Sequence, residues 1–388
     1  MSILRALVLS RAPAAALMAV GMFWGGFAAL VPDIKANVGA SDAGLGAALL
    51  MSAVGGMTAM WLAPKVGAAL GRMAMPLVGT ALCLAFFYPT WASDVVTLGA
   101  AMLAMGATVA MLDITSNVEI SARESKTGLH LMNVNHAMFS FAFAASAYGT
   151  GLARQAGYGP SDVMPILAVL NIALVALMYS PRVAVPETTP ETGPPRRIPW
   201  LAIVLTGVIL FTSFIGENAT EAWSALHIER TLGAAPGEGS FGPAMLGLVM
   251  GLGRLAGQVA AERLGHARLI FWSAALAVVG TLIIAAAPTP AVAIMGVAVG
   301  ALGMAVIVPS GNSMLGAHVT NAQRAFAMSR AWMFGILGFF LGPAMMGGIA
   351  EAFGLRLSFV VVAIIVSLAL PAVWMLDRQP RVEPGDGS

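Results

Sequence analysis

Three carboxylates stand inside long apolar stretches of the sequence. Asp113 is followed four residues later by Asn117, and Glu217 is followed four residues later by Glu221. Residues four apart share one face of a helix. A charged side chain at the centre of a bilayer costs roughly 2.5–3.5 kcal/mol on insertion scales, so such residues are the first candidates for function.

Proton transfer is the chemistry that these acids could perform. Two carboxylates one turn apart repel each other when both are ionised, so the pair Glu217 and Glu221 could hold a proton near neutral pH. We therefore predict Asp113, Glu217 and Glu221 as proton-coupling residues. The alternatives are a structural hydrogen-bonding role for Asp113 and a solvated position at the outer mouth for the two glutamates.

A histidine adds a second kind of titratable group. Asn133, His136 and Ser140 are spaced three and four residues apart, so they form one helical stripe. An unperturbed histidine titrates at about pH 6.5, and His136 could relay protons beside Asp113. The alternative is a packed, hydrogen-bonded histidine in the helical core.

Uncharged polar and aromatic residues in the same stretches could contact a solute. The amide and hydroxyl groups of Asn117, Asn133, Ser310 and Asn312 could bind hydroxyl or amide groups of a ligand. Trp24, in the middle of its apolar stretch, could stack on a flat ligand. We predict these five residues as substrate-binding.

The elements that must position these residues are membrane-spanning helices. Of the 388 residues, 59% are apolar and only 10% are charged, whereas soluble domains carry about 25% charged residues. Apolar stretches of about 20 residues, the length that crosses a bilayer, recur twelve times. The predicted spans are 13–32, 43–64, 73–92, 95–118, 129–152, 162–180, 200–222, 241–261, 269–287, 290–313, 325–349 and 356–376.

This pattern predicts an all-α membrane protein with twelve transmembrane helices in two pseudo-symmetric six-helix bundles. We predict an N-terminal bundle over residues 1–180 and a C-terminal bundle over 200–376. The proline-rich stretch 181–199 between them has no apolar periodicity and predicts a cytoplasmic linker. Residues 377–388 form a predicted cytoplasmic tail.

The positive residues predict the orientation. With a cytoplasmic N-terminus, only four of the twenty Lys and Arg residues fall on the outer side, namely Lys35, Arg154, Arg230 and Arg356. The remaining sixteen fall on the cytoplasmic side, as the positive-inside rule requires. We therefore predict a multi-pass protein of the cell inner membrane with both termini in the cytoplasm.

Two loops, six spans apart, carry related sequences. Lys65, Gly67 and Arg72 lie between spans 2 and 3, and Glu262-Arg263-Leu264-Gly265 lies between spans 8 and 9. Both loops resemble the L-A-D-R-x-G-R-R signature of the major facilitator superfamily, although Pro64 replaces the usual acid in the first copy. The stretch from Glu217 to Ala225 resembles the seventh helix of bacterial transporters near the fucose-permease group.

The resemblance implies a fold and a way of working. Members of this superfamily have two six-helix bundles around a central cavity, which helices 1, 4, 7 and 10 chiefly line, and they work by alternating access. The resemblance also implies a monomer and gives the six loop residues Lys65, Gly67, Arg72, Glu262, Arg263 and Gly265 a role in gating.

Missing motifs argue against enzymatic chemistry. Cys83 is the one cysteine, so the chain can form neither an internal disulfide nor a cysteine metal site. No lysine follows a glycine as a phosphate-binding loop requires, and zinc-hydrolase and nucleophile-elbow motifs are absent. We predict no enzyme activity, no cofactor, no metal and no nucleic-acid partner.

The leading hypothesis is a secondary transporter that carries a small polar, sugar-like solute and is coupled to protons. The second is efflux of an amphipathic compound by proton exchange, which the methionine-rich composition permits. The third, from another class, is a non-transporting membrane sensor or a membrane-embedded enzyme. The solute, the direction of transport and the coupling ion stay open at this point.

Overall fold

The computed structural model describes residues 3–129, 131–180 and 198–382, and every regular element in these ranges is helical. Each of the twelve predicted spans coincides with one helix or with two consecutive helical segments. In chain order the helices are α1 (Arg11–Asn37), α2 (Asp42–Leu70), α3 (Ala74–Ala85 and Tyr88–Trp91), α4 (Val95–Thr127), α5 (Met132–Gln155), α6 (Pro160–Leu177), α7 (Trp200–Leu226), α8 (Phe241–Leu264), α9 (His266–Ala286), α10 (Pro290–Met304 and Ile307–Ala317), α11 (Asn321–Phe353) and α12 (Leu355–Ser367 and Ala369–Asp377). A short helix, Ile3–Leu9, precedes α1.

The helices are apolar enough for a membrane protein. Nine helical segments within the described residues have the length and hydropathy to cross a bilayer, and one of these, Asp42–Trp91, joins α2 and α3. Of α1–α12, only α5 and α8 fall outside that group, and both carry polar side chains in their middle. The prediction of an all-α membrane fold is confirmed, whereas the count of twelve crossings stays a prediction.

The predicted boundary between the two bundles falls on residues that the structure does not describe. Residues 181–197 of the predicted linker and residues 383–388 of the predicted tail lie outside the described residues. The bundle boundaries therefore stay predictions. We refer below to α1–α6 as the first half and to α7–α12 as the second half.

Glycines allow the helices within the first half to pack closely. A Cβ added at Gly55 of α2 or at Gly106 of α4 would clash with the backbone of the other helix. In the same way, Gly21 and Gly25 of α1 lie against the backbone of Phe139 and Phe143 in α5. Small residues stabilise helix pairs in lipid because they let backbones approach, so these glycines fix how α4 and α5 present their polar residues.

The two halves meet chiefly along two helix pairs. α2 crosses α11 where Gly46 faces Pro343 and Gly347, and α5 crosses α8 where Gly247 faces Phe143 and Ala144. We call the end where α1 joins α2 and α7 leads to α8 the distal end. The opposite end, where α2 leads to α3 and α8 to α9, is called the terminal end.

Candidate functional site

Asp113 lies in the interior of α4, and the sequence fixes both ends of that helix. Asp94 caps its start: the backbone N–H of Thr97 donates to the Asp94 carboxylate at 2.8 Å, and the Thr97 hydroxyl accepts from the Asp94 N–H at 3.1 Å. Gly128 ends the helix with a φ of 67°, a left-handed conformation that glycine adopts at little cost. The capping box and the glycine thus define the two ends of the helix, and Asp113 lies near its middle.

Acids from both halves border one cavity, which we call the central cavity. It has a volume of about 430 Å³ and lies between α1, α2, α4, α5, α7 and α11. Asp113 comes from the first half, and Glu217, Asn218 and Glu221 come from the second. The remaining wall is largely apolar and aromatic, with Trp24, Phe27, Phe139, Trp332 and Phe339 among its side chains.

Four predicted site residues are thus brought together at the central cavity: Trp24, Asp113, Glu217 and Glu221. Cation partners differ among the acids. Glu217 Oε1 lies 3.2 Å from Arg254 Nη2, and among the described residues no ion pair forms at Asp113 or Glu221. Of the three acids of the central cavity, Glu217 is therefore the one that a described cation balances.

His136 and Asn117 contact each other beside the cavity. His136 Nε2 lies 3.1 Å from Asn117 Oδ1, and Asn117 Nδ2 donates to the backbone carbonyl of Asp113 at 3.0 Å. In the described part of the chain, neither residue borders the central cavity. The structure thus connects His136 to the helix of Asp113 through Asn117, and not to the Asp113 carboxyl group itself.

Asn133 and Ser310 border a different space, which we call the second cavity. It has a volume of about 490 Å³, lies towards the terminal end between α5, α8 and α10, and also has Arg254 and Glu262 in its wall. Asn312 instead accepts a hydrogen bond from Trp332 Nε1 at 3.1 Å. Among the described residues, α10 adds no side chain to the central cavity, whereas α2 and α11 add several and α5 adds Phe139. This differs from the arrangement that the resemblance implies.

The six predicted gating residues lie at the terminal end. Lys65, Arg72, Glu262, Arg263 and Gly265 are outside the buried core, and the Arg72 guanidinium stands over the Tyr179 ring at 5.7 Å from its centroid. Gly265 has a φ of 75° where α8 ends and α9 begins, so glycine serves the turn itself. A gating role for the six residues stays a prediction.

A buried arginine at the distal end was missed by sequence reasoning. The Arg154 side chain is 1% exposed and binds Asp33 of α1 through Nε and Nη2 at 2.6 and 2.7 Å. The same guanidinium binds Glu229, in the π-helical turn His227–Thr231 after α7, at 2.5 and 2.9 Å. Arg154 was counted as one of four outer charges, and its spacing gave no sign of these long-range partners.

A second distal group surrounds the first turn of α2. Arg230 donates two hydrogen bonds to Asp42 at 2.5 and 2.7 Å, and Lys35 lies 3.3 Å from the same carboxylate. Glu351 of α11 accepts from the backbone N–H groups of Asp42 and Ala43 at 2.8 and 3.4 Å. Arg154, Arg230 and Glu351 therefore join the two halves at the distal end.

The fold is a helical bundle with a membrane-type surface and, between its two halves, a cavity that acids from both halves border. Solved transporters have the same fold. The nucleoside transporter NupG superimposes with a TM-score of 0.70 over 96% of this chain and 100% of its own, at 13% identity. A bacterial homologue of the human lysosomal transporter Spinster, in an inward-facing and occupied conformation, gives a TM-score of 0.71 over 99% and 100% at 15% identity.

Sequence comparison points to one superfamily of membrane transporters. Residues 206–387 match the family model described as Major Facilitator Superfamily. An uncharacterised MFS-type transporter of Yersinia pestis is 27% identical over 90% of this chain and 91% of its own length, and the membrane protein MosC of Rhizobium meliloti is 27% identical over 94% and 89%. The family model and these relatives support a transporter of the major facilitator superfamily, which confirms the resemblance seen in the two loops. Family and fold point to a transporter and not to an enzyme.

Proposed function

We propose that this transporter carries a small polar solute together with protons, and that Asp113 and Glu217 are the coupling acids. The observation that carries the proposal is that these two acids, from opposite halves of the chain, border one cavity. A proton symporter needs a group that gains a proton from one side and releases it to the other. Acids shared between two moving halves meet that need, and Trp24 offers a ring on which a solute could stack.

Alternating access would use the two ends of the molecule in turn. At the distal end, Arg154 and Arg230 bridge the halves, and Gly46 lies directly against the backbone of α11. The second cavity lies towards the terminal end, between α5 of the first half and α8 and α10 of the second. These features favour a cycle in which the distal contacts close one side of the central cavity and break when it opens.

The test of the coupling role is Asp113→Asn, measured with the purified protein in liposomes. A solute must be found first, by thermal stabilisation of the protein against a metabolite library, since a ligand stabilises the state it binds. We expect Asp113→Asn to abolish accumulation driven by a proton gradient and to spare solute exchange. Asp377→Asn, at the end of α12 and paired with Arg381, is the matched control and should accumulate normally. Accumulation that survives in Asp113→Asn would refute the assignment.

Export of an amphipathic compound by proton exchange is the second candidate. The central cavity has Met57, Met60 and several aromatic rings in its wall, and such flexible or flat side chains adapt to varied apolar ligands. Overexpression that raises resistance to amphipathic compounds would favour export. Growth on a solute as sole carbon source, dependent on the transporter, would favour uptake.

We propose that the protein is a monomer in the inner membrane, with both termini in the cytoplasm. We also propose that it is related to the fucose-permease-like group. The orientation rests on the excess of Lys and Arg at the terminal end. Cysteines introduced at exposed positions of each end test it, because a membrane-impermeant maleimide applied to whole cells should label only the distal ones.

A further inference from the structure

Arg254 lies in the interior of the bundle and not in a loop. It stands well inside α8 (Phe241–Leu264), and its side chain is 18% exposed. Its Nη1 donates to Ser140 Oγ of α5 at 2.6 Å, and the backbone carbonyl of His136 lies 3.5 Å away. Its Nη2 donates to Glu217 Oε1 of α7 at 3.2 Å. One guanidinium thus contacts a carboxylate of the central cavity and a helix of the opposite half.

Glu217 is the only described carboxylate in an ion pair with Arg254. Of the other titratable groups nearby, His136 turns its ring to Asn117, and Asp113 and Glu221 border the central cavity with Glu217. Glu124, Glu262 and His266 share the second cavity with Arg254. A buried cation that loses its carboxylate partner is strongly unfavourable, so the position of Arg254 depends on the charge of Glu217.

The helices around Arg254 form the central part of the contact between the halves. A Cβ at Gly247 would lie 2.9 Å from both the Ser140 carbonyl oxygen and the Ala144 nitrogen of α5. A Cβ at Gly251, one turn further on, would lie 2.7 Å from the Phe141 ring. Such close packing has little room to adjust, so a guanidinium that moves here changes the fit of α8 on α5.

We propose that Arg254 is a positioning residue that transmits the charge of the central cavity to the contact between the two halves. While Glu217 is ionised, it holds Arg254 against Ser140 and keeps α8 seated on α5. When a proton or a cationic group of a solute cancels that charge, the guanidinium loses its carboxylate. Arrangements of the halves in which α8 is no longer held on α5 are then favoured, among them the one in which the distal contacts part. This inference rests on the proposed transport function and adds to it a route from the cavity to the moving contact.

The test measures the distance between the halves and needs no solute. Spin labels are attached at Ala156→Cys and Pro288→Cys, exposed positions at distal-end connections of the first and second halves, in a Cys83→Ser background. Glu217→Gln imitates the neutral carboxyl group. We expect it to raise the population with the longer label-to-label distance at least about threefold in full-length protein in nanodiscs. In an Arg254→Gln background, Glu217→Gln should cause no further change, because the two residues act as one unit.

Two further variants separate coupling from a general structural role. Arg254→Lys keeps the charge and should restore part of the response to Glu217→Gln. Ser140→Ala keeps the ion pair but removes its partner on α5, so it should reduce the response even if Arg254→Gln does not fold. Glu221→Gln changes an acid of the same cavity that has no ion pair with Arg254, and its effect should be alike with and without Arg254.

An equal response to Glu217→Gln in the protein that retains Arg254 and in the Arg254→Gln variant would overturn the proposal. The absence of any response in the protein that retains Arg254 would overturn it too. Loss of the Glu221→Gln effect on removal of Arg254 would also count against a specific pair. These outcomes are separate from the transport test. Proton-driven accumulation in liposomes could occur while the label-to-label distances do not depend on Arg254. The distances could also depend on Arg254 in a protein that shows no proton-driven accumulation.

Discussion

The distal and terminal ends of this transporter join its two halves in different ways. At the distal end, Arg154 is almost completely buried between Asp33 and Glu229, and Glu351 reaches from α11 to the first turn of α2. At the terminal end, the charged residues of the two related loops, including Lys65 and Arg263, are exposed. Buried charged contacts are costly to break singly, whereas exposed ones contribute little. The comparison teaches that the ion pairs between described residues of the two halves, those of Arg154 and Arg230, lie at the distal end, away from the loops that carry the family signature.

The largest expected effect comes from removing Arg154. Arg154→Ala leaves the carboxylates of Asp33 and Glu229 without their shared cation, which should cost about 3–5 kcal/mol, as for other broken buried pairs. The measurement is the thermal unfolding of the purified protein in detergent. Arg381→Ala breaks a terminal-end pair whose arginine is 62% exposed, and it should leave the unfolding curve in place. Equal losses from the two variants would break the comparison between the ends.

Next in size is a change at a helix crossing. A Cβ at Gly46 would lie 2.5 Å from the Pro343 carbonyl oxygen, so Gly46→Ala forces α2 away from α11 and should cost about 1–3 kcal/mol of stability. Gly67, near the terminal end of the same helix, has no atom of the described residues within 4 Å of an added Cβ. Gly67→Ala should therefore keep or raise the unfolding temperature, since alanine favours helix. A destabilised Gly67→Ala protein would show that this end of α2 packs as tightly as the distal crossing.

A smaller effect is expected within the distal end itself. Arg230 makes two hydrogen bonds to Asp42, but its side chain is 41% exposed. Solvent screens such a pair, so Arg230→Ala should cost only about 0.5–1 kcal/mol. Unfolding at low and high salt measures this, and the difference from the wild type should shrink as salt rises. A loss as large as that of Arg154→Ala would mean that burial is not what separates the two arginines.

The smallest effect concerns an exposed acid at the distal end that bonds only locally. Hydrogen bonds from Thr97, chiefly from its backbone N–H, hold the pKa of Asp94 below its usual value. A lowered carboxyl pKa gives stability that is fully present above the unfolded value of about 3.9 and is lost as the pH falls through the folded value. Asp94→Asn keeps a side chain that can cap the start of α4, but this side chain does not titrate. The wild type should therefore lose its small advantage over Asp94→Asn as the pH falls below about 4 in unfolding measurements, and a constant difference would contradict this.

The helices were predictable from the sequence because a bilayer requires long apolar stretches, and each predicted stretch coincides with a helix. The rotation of each helix was not predictable. Asp113, Glu217 and Glu221 could be predicted as site residues because they are charged and lie deep in apolar stretches, and all three border the central cavity. Among the uncharged residues, Asn312 instead bonds to Trp332, and Asn133 borders the second cavity. Polarity alone does not tell which neighbour an uncharged side chain faces.

Long-range pairs were also beyond sequence reasoning. Arg154 and Asp33 are 121 residues apart, and Arg254 and Ser140 are 114 apart, so no local spacing connects them. Both arginines were assigned to a side of the membrane from the span count. The one available signal was that Arg254 falls inside the predicted span 241–261, where a charge is costly enough to need a partner.

The contact between Glu351 and the start of α2 has a consequence for how opening can be observed. A helix leaves its first backbone N–H groups without partners inside the helix, and here a carboxylate from the other half accepts from two of them, those of Asp42 and Ala43. Whenever α11 moves away, those amides must turn to solvent. Their hydrogen–deuterium exchange should therefore count the openings of the distal end directly, in the unlabelled protein and without any added ligand.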